Sequence, residues 1–173
     1  MTEYVLAGGC FWCLDSSFSQ FKGIIDVECG YAGGHTVNPT YEEVCSEKTG
    51  HAEVAKVIFD ESIISSEVVL DLYFTVHDPR QLNRQGNDIG SSYRSAMFYQ
   101  GEEQKEIFEK ALERAGQMWD GEIVTTLQPL EIFWAAEEYH QDYFSKNPGK
   151  AYCQSVVSGK MAKTRASFTE YLK

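Results

Sequence analysis

The chain has 173 residues, 43% of them apolar, 13% aromatic and 24% charged, which suits one domain with a sizeable core and excludes global disorder. Its formal charge of −11 repels phosphate, which argues against nucleic acid and anionic membranes as partners. The five cysteines cannot all pair within a monomer, no segment approaches the ~20 apolar residues of a membrane span, and Glu3 stands where a signal peptide would be basic, so a reducing cytosol is expected for these thiols.

Glu3–Ala7 reads as a short strand broken by Gly8-Gly9. Phe11, Leu14, Phe18 and Phe21 recur at spacings of three and four, which predicts an amphipathic helix over 10–21. Ile24–Val27 reads as a strand that ends in the glycine-rich turn Gly30-Tyr-Ala-Gly-Gly34. Thr40 and Glu43 have the spacing of a capping box for a short helix. Ala52–Phe59 reads as a strand with Glu53, Ala55, Val57 and Phe59 on one face, apolar apart from Glu53. Ser65 suits the cap of a helix whose stripe is Val68, Val69, Leu72, Tyr73 and Val76. The long polar stretch Asp78–Ser92 has the length of a functional loop.

Ala96–Tyr99 reads as a strand, and Glu102–Met118 as a strong helix with Ile107, Phe108, Ala111, Leu112, Ala115 and Met118 on one side. Ile123–Leu127 and Glu131–Phe133 are strand candidates separated by Pro129, and 135–144 reads as helical. Residues 147–164 are polar and small and predict no long regular element, with a last helical turn or two at 166–172. No repeat or linker divides the chain, so residues 1–173 are expected to form a single domain with 147–173 as a less regular tail. Strands and helices mix without a regular βα period, which points to an α+β fold: a mixed, mostly antiparallel sheet with helices packed on it.

Gly8-Gly9-Cys10-Phe11-Trp12-Cys13 is the segment that carries chemistry. It sets Cys10 at the start of a helix, where free N–H groups and the helix dipole favour a thiolate. Cys13 lies one turn on. A C-x-x-C in this place is compatible with two packed thiols, with half of a metal site, or with a redox dithiol. A structural zinc site normally needs four ligands, and Cys29, Cys45 and Cys153 stand singly, which weakens the metal reading. An inward Glu53 is either salt-bridged or a desolvated acid with a raised pKa.

Gly9-Cys10-Phe11-Trp12 resembles the signature of the peptide methionine sulfoxide reductase A family. The resemblance continues, in family order, through Gly30-Tyr31-Ala32-Gly33-Gly34, Asn38-Pro39-Thr40-Tyr41, Thr49-Gly50-His51-Ala52-Glu53, Gln85-Gly86-Asn87-Asp88, Gly90-Ser91-Ser92-Tyr93-Arg94-Ser95 and Glu138-Tyr139-His140-Gln141. It implies a two-layer α/β sandwich with a ferredoxin-like core. It also implies reduction of free and protein-bound methionine sulfoxide, selective for the S epimer at sulfur, in repair of oxidised proteins. Cys10 then matches the nucleophile that becomes a sulfenic acid, and Glu53 the acid. Tyr41 and Tyr93 match the hydroxyls on the sulfoxide oxygen. Phe11 and Trp12 match the wall for the substrate methyl, and Asp88 a residue near the substrate main chain. Thioredoxin is implied as reductant, with dithiothreitol as its substitute in vitro. No bound cofactor or metal and a cytoplasmic monomer are expected.

Many family members have glycine where this chain has Cys13. Members with cysteine there resolve the sulfenic acid as a disulfide, here Cys10–Cys13. Cys153 is the one tail cysteine, placed to relay the disulfide to an exposed tail or to stand by unused. Cys29 and Cys45 read as buried small hydrophobes. Trp134 stands where the family often has tyrosine. Competing readings are a Cys–His hydrolase using Cys10 with His51 or His140, and a zinc or redox-sensing module.

Overall fold

In the computed structural model, which describes residues 1–173, β1 (Thr2–Ala7) is the first of the strands that build a six-stranded sheet. Helix α1 (Phe11–Phe18) follows it, then β2 (Ile24–Ala32), α2 (Tyr41–Cys45), β3 (Ala52–Phe59) and α3 (Ser66–Val76). A small hairpin, β4 (Arg84–Gln85) and β5 (Asp88–Ile89), occupies the polar stretch. Then come β6 (Ala96–Tyr99), α4 (Glu102–Met118), β7 (Thr126–Pro129), β8 (Trp134–Ala135), α5 (Tyr143–Lys146) and α6 (Ser158–Ser167). No helix is long and apolar enough to cross a membrane.

The sheet order is β7-β6-β1-β3-β2-β8, with β6 and β7 parallel and every other pair antiparallel. Its inner four strands, β6-β1-β3-β2, with α1 and α3 as crossovers, have the ferredoxin-like order. One face carries Tyr4, Leu6, Ala55, Val57, Phe59 and Met97 against Leu14, Phe18, the α3 stripe and Phe108. The other carries Val5, Ala7, Val54 and Phe98, covered by Leu130 and Phe133.

Both predicted caps form. Thr40 Oγ1 accepts from the Glu43 N–H, Glu43 reaches back to the Thr40 N–H, and Ser65 Oγ accepts from the Val68 N–H. Besides the strand read at Glu131–Phe133, where none forms and β8 starts only at Trp134, four local expectations fail for a tertiary reason. First, α1 ends at Phe18, and Phe21 instead bridges to Leu172. Second, β2 runs through the predicted glycine turn. Gly30 sits in the strand because a Cβ there would lie 2.4 Å from the Phe133 ring and 2.6 Å from the Trp134 carbonyl oxygen.

Third, 135–144 does not form one helix. It forms the 3₁₀ turn Glu138–His140 and the short α5, with Asp142 left-handed at φ 54°. Its side chains are committed to the sheet: Gln141 Oε1 accepts from the Cys29 N–H at 2.8 Å and its Nε2 donates to the Cys29 carbonyl at 3.0 Å. Fourth, the tail is regular. The backbone is helical from 151 to 167, with a π-helical turn at Cys153–Val157 running into α6. The buried stripe is Cys153, Val157 and Thr164. Thr164 is accommodated because its hydroxyl donates to carbonyls one turn back and accepts from Gln20 Nε2 at 3.1 Å.

Candidate active site

The C-terminal end of β1 and the start of β3 lie at one edge of the fold, and α1 begins there. Gly8 and Gly9 make the turn. A Cβ on Gly8 would lie 2.9 Å from the His77 ring, and one on Gly9, whose φ is 86°, 2.7 Å from Gln85 Cγ. Gln85 in turn makes two hydrogen bonds of 3.0 Å to the Asp78 backbone, which seats the β4–β5 hairpin against this turn. Cys10 is the extended residue that caps α1, buried at 6% exposure.

The helix-start argument expects a favoured thiolate at Cys10. The structure overrides it: burial pushes the Cys10 thiol well above its ordinary value, and contact with Cys13 and the charge of Glu53 add to this. Cys13 is shifted down by its hydrogen bond with Cys10 against an opposing burial effect, with the Lys160 ammonium helping.

Glu53 is 1% exposed and has no salt-bridge partner. Its Oε1 accepts the Phe11 N–H at 3.1 Å, and its buried Oε2 has no partner at all. Burial pushes its pKa up to about 8; the Phe11 N–H opposes that shift, and Asp88 and Cys13 add to it. The carboxyl is therefore a proton donor at neutral pH.

Tyr41, the first residue of α2, and Tyr93, at the end of the 3₁₀ turn Ser91–Tyr93, are brought to the same place. The Tyr41 N–H donates to Glu137 Oε2 at 2.9 Å, while Glu137 Oε1 accepts from Tyr31 at 2.8 Å. The 3₁₀ turn Ser91–Tyr93 is held by Glu47, whose carboxylate accepts from the Ser92 N–H at 2.9 Å and the Ser92 hydroxyl at 2.6 Å. Burial and the charge of Glu53 raise both phenols, so both are neutral donors.

Phe11 is fully buried and stacks at 6.3 Å on Tyr41. Trp12 stands at the rim, stacked at 3.8 Å on Tyr143, and its indole N–H donates to His140 Nδ1 at 3.1 Å. That bond requires the His140 proton on Nε2, and burial keeps this imidazole neutral. His51 accepts from the Gly34 N–H at 3.0 Å and faces the Thr36 carbonyl at 2.8 Å. Neither imidazole bonds Cys10, so the Cys–His pair of a hydrolase is not formed.

Asp88 reaches the same basin and accepts from the Tyr152 hydroxyl at 2.6 Å. Cys153 is wholly buried in the small core that holds Cys10 and Cys13. The expected exposed tail is thus a packed helix, because Cys153 and Val157 supply apolar surface to the back of the site. Cys29 is buried as expected, with its Sγ 3.7 Å from the Phe11 carbonyl oxygen. Cys45 is exposed rather than buried, because the five-residue α2 ends at the rim. Tyr143, Tyr152, Lys160 and Glu137 also shape the basin. None lay in a stretch whose pattern marked it, and only the neighbouring Cys153 could have drawn notice to Tyr152. No group of three or more His, Cys, Asp or Glu side chains is arranged to hold a metal ion.

A family model described as peptide methionine sulfoxide reductase matches residues 2–172. The chain is 53% identical over 173 residues to the peptide methionine sulfoxide reductase MsrA of Clavibacter michiganensis subsp. michiganensis, covering 100% of this chain and 99% of that one. It is 46% identical over 173 residues to MsrA of Saccharolobus solfataricus, covering 100% and 98%. Among solved structures, reduced Mxr1 from Saccharomyces cerevisiae superposes with a TM-score of 0.83 at 33% identity, covering 88% of each chain. Methionine sulfoxide reductase A of Corynebacterium diphtheriae gives 0.79 at 32% identity, covering 84% of this chain and 74% of that one.

Proposed function

The chain belongs to the peptide methionine sulfoxide reductase family and reduces methionine sulfoxide to methionine, and from that premise we propose which of its side chains do the work. The observation that carries the reading is the unpartnered Oε2 of Glu53, buried and protonated at neutral pH beside two neutral phenols. A sulfoxide oxygen placed there accepts hydrogen bonds from Glu53, Tyr41 and Tyr93. Charge withdrawn from that oxygen makes the sulfur electrophilic, and donors in a buried site act strongly on developing charge.

Cys10 attacks the sulfur. Its own raised pKa keeps it a thiol until substrate arrives, and the proton it sheds is taken up at the sulfoxide oxygen. The oxygen passes to Cys10 as a sulfenic acid and methionine leaves. Phe11 and Trp12 wall the substrate methyl, where contact between sulfur-bound methyl and aromatic rings is favourable by roughly 0.3–1.5 kcal/mol. Trp12 is held in that pose by Tyr143 and His140. Asp88 lies where the substrate main chain enters.

Cys13 then attacks the sulfenic acid to give a Cys10–Cys13 disulfide and water. Cys153, buried beside Cys13, is the next thiol in line. Thioredoxin, or dithiothreitol in vitro, restores the thiols in a reducing cytosol. No step in this sequence draws on a metal or a bound cofactor.

The test is NADPH oxidation coupled through thioredoxin and its reductase, run on each sulfur epimer of a methionine sulfoxide peptide. Turnover is expected with the S epimer alone. Equal rates with both epimers contradict the reading of the pocket.

A further inference from the structure

We propose that Tyr152 and Asp88 form a proton relay that activates Cys13 for the step that closes the disulfide. The inference rests on the reading of Cys13 as the resolving thiol. Tyr152 opens the C-terminal helix, its ring edge-on to Trp12 at 5.8 Å. Its hydroxyl lies 2.6 Å from Asp88 Oδ2 and 4.0 Å from Cys13 Sγ.

A phenol has one proton. At 2.6 Å from a carboxylate that proton is committed to Asp88, as in other short charge-assisted bonds. The Tyr152 oxygen therefore presents a lone pair to Cys13, and the Cys13 thiol is the donor in that contact. The three groups form a directed chain, S–H to Oη–H to carboxylate, whose far end is partly open to solvent.

The step balances without an external oxidant. The Cys13 proton moves to Oη as the Oη proton moves to Asp88. The Cys13 sulfur forms the S–S bond, the S–O bond of the Cys10 sulfenic acid breaks, and the departing hydroxide takes a proton from the Glu53 carboxyl and leaves as water. Asp88 gains one proton and Glu53 loses one. Cys10 of the preceding turn, Glu53 of β3, Asp88 of the hairpin, and Tyr152 and Lys160 of the C-terminal helix are the groups around Cys13, with Cys153 behind it. Of these, Asp88 is the acceptor in hydrogen-bond contact with the relay. The Lys160 ammonium, 3.9 Å from where a Gly9 Cβ would stand, favours negative charge at Cys13 as the proton leaves.

The experiment is a single turnover in which a methionine sulfoxide peptide is mixed with reduced enzyme. Methionine release is timed separately, and sulfenic acid that has not yet closed is trapped with dimedone. In Tyr152→Phe, which keeps the ring against Trp12, disulfide closure relative to methionine release is expected to slow about 100-fold at pH 7. The deficit should shrink steadily as pH rises, because a Cys13 that is already ionised closes without the relay. Asp88→Asn keeps a hydrogen-bond acceptor but not a base and should show the same pH profile. Cys13→Ser should accumulate sulfenic acid at every pH. If Tyr152→Phe closes with the wild-type rate and profile while Cys13→Ser stalls, the relay is wrong and Cys13 remains the resolver. If Cys13→Ser closes normally, the reading of Cys13 fails and the relay falls with it.

Discussion

At the scale of single residues, Glu53 sets chemistry against surroundings. A glutamate that ionises near 4.5 in water keeps its proton here to about pH 8, because ionisation would bury a charge with one hydrogen bond and no counter-ion. The folded pKa lies above the unfolded one. The group's contribution to stability is therefore complete below about pH 4.5 and is lost progressively as pH rises to about 8. Glu53→Gln removes that loss. It is expected to raise stability on the order of 3 kcal/mol at pH 7, with less gain toward pH 5, and to cut methionine release by at least about 100-fold. Thermal melts across pH 5–8 and single-turnover release check both halves. A variant with unchanged melts and wild-type release would sink the acid role. For the wild type, release should decline above about pH 8 as Glu53 ionises.

Cys10 obeys the same physics with the opposite expectation. A helix start favours a thiolate by a local dipole effect worth about 0.3–1 kcal/mol, whereas full burial shifts a pKa by several units. Burial wins, so the thiol waits for substrate. The five cysteines thus differ by environment: Cys10, Cys13, Cys29 and Cys153 share one small core, with Cys29 under α1, and Cys45 is exposed.

At the scale of elements, the C-terminal helix decides how the site is closed. Its π-helical turn at Cys153–Val157 lies directly behind Cys13, and π turns are local departures from the better-bonded α ladder. Cys153 is 0% exposed, so a large reductase reaches it only when that turn opens. Cys153→Ser is expected to leave Cys10–Cys13 formation intact in mass mapping yet to reduce thioredoxin-driven turnover about tenfold or more, with dithiothreitol-driven turnover less affected. Full turnover with thioredoxin would make Cys153 a packing residue. The central strands and the long helices were legible because their signals are local, whereas the strands read at 123–127 and 131–133 were displaced to Thr126–Pro129 and Trp134–Ala135; Ser65 and Thr40 cap what they were expected to cap, and α4 keeps its stripe. The C-terminal helix was not legible. Its buried face carries cysteine, valine and threonine, which read as polar and small until Gln20 and the back of the active site supply their partners. The failed helix at 135–144 is the converse, since Gln141 and Glu137 satisfy groups on β2 and α2 rather than continuing a helix.

At the scale of the whole molecule, the last residues tie the tail back to the segment between α1 and β2. The Lys22 N–H donates to the Tyr171 carbonyl at 2.8 Å, the Lys173 N–H to the Gln20 carbonyl at 3.1 Å, and Phe168, Tyr171 and Leu172 pack on the main core. Deleting 168–173 removes three partly buried apolar side chains and is expected to cost about 2–4 kcal/mol, or roughly 5–12 °C in Tm. A melt within 1–2 °C of wild type would show that the clasp contributes nothing.

The residues proposed to do the chemistry were marked by the sequence alone. Cys10, Glu53, Tyr41, Tyr93, Phe11, Trp12 and Asp88 all lie in contiguous motifs, and Glu53 stood out as the one charge on an apolar strand face. The family's motifs marked these residues, and for Glu53 alone the period of a strand, a local property, marked it independently. Only the tertiary structure decided the protonation of Glu53 and Cys10, the pose of Trp12, and the meeting of Tyr152 with Asp88 and Cys13. These depend on burial and on contacts between residues 64 to 139 positions apart, and neither quantity is written in any local stretch of sequence.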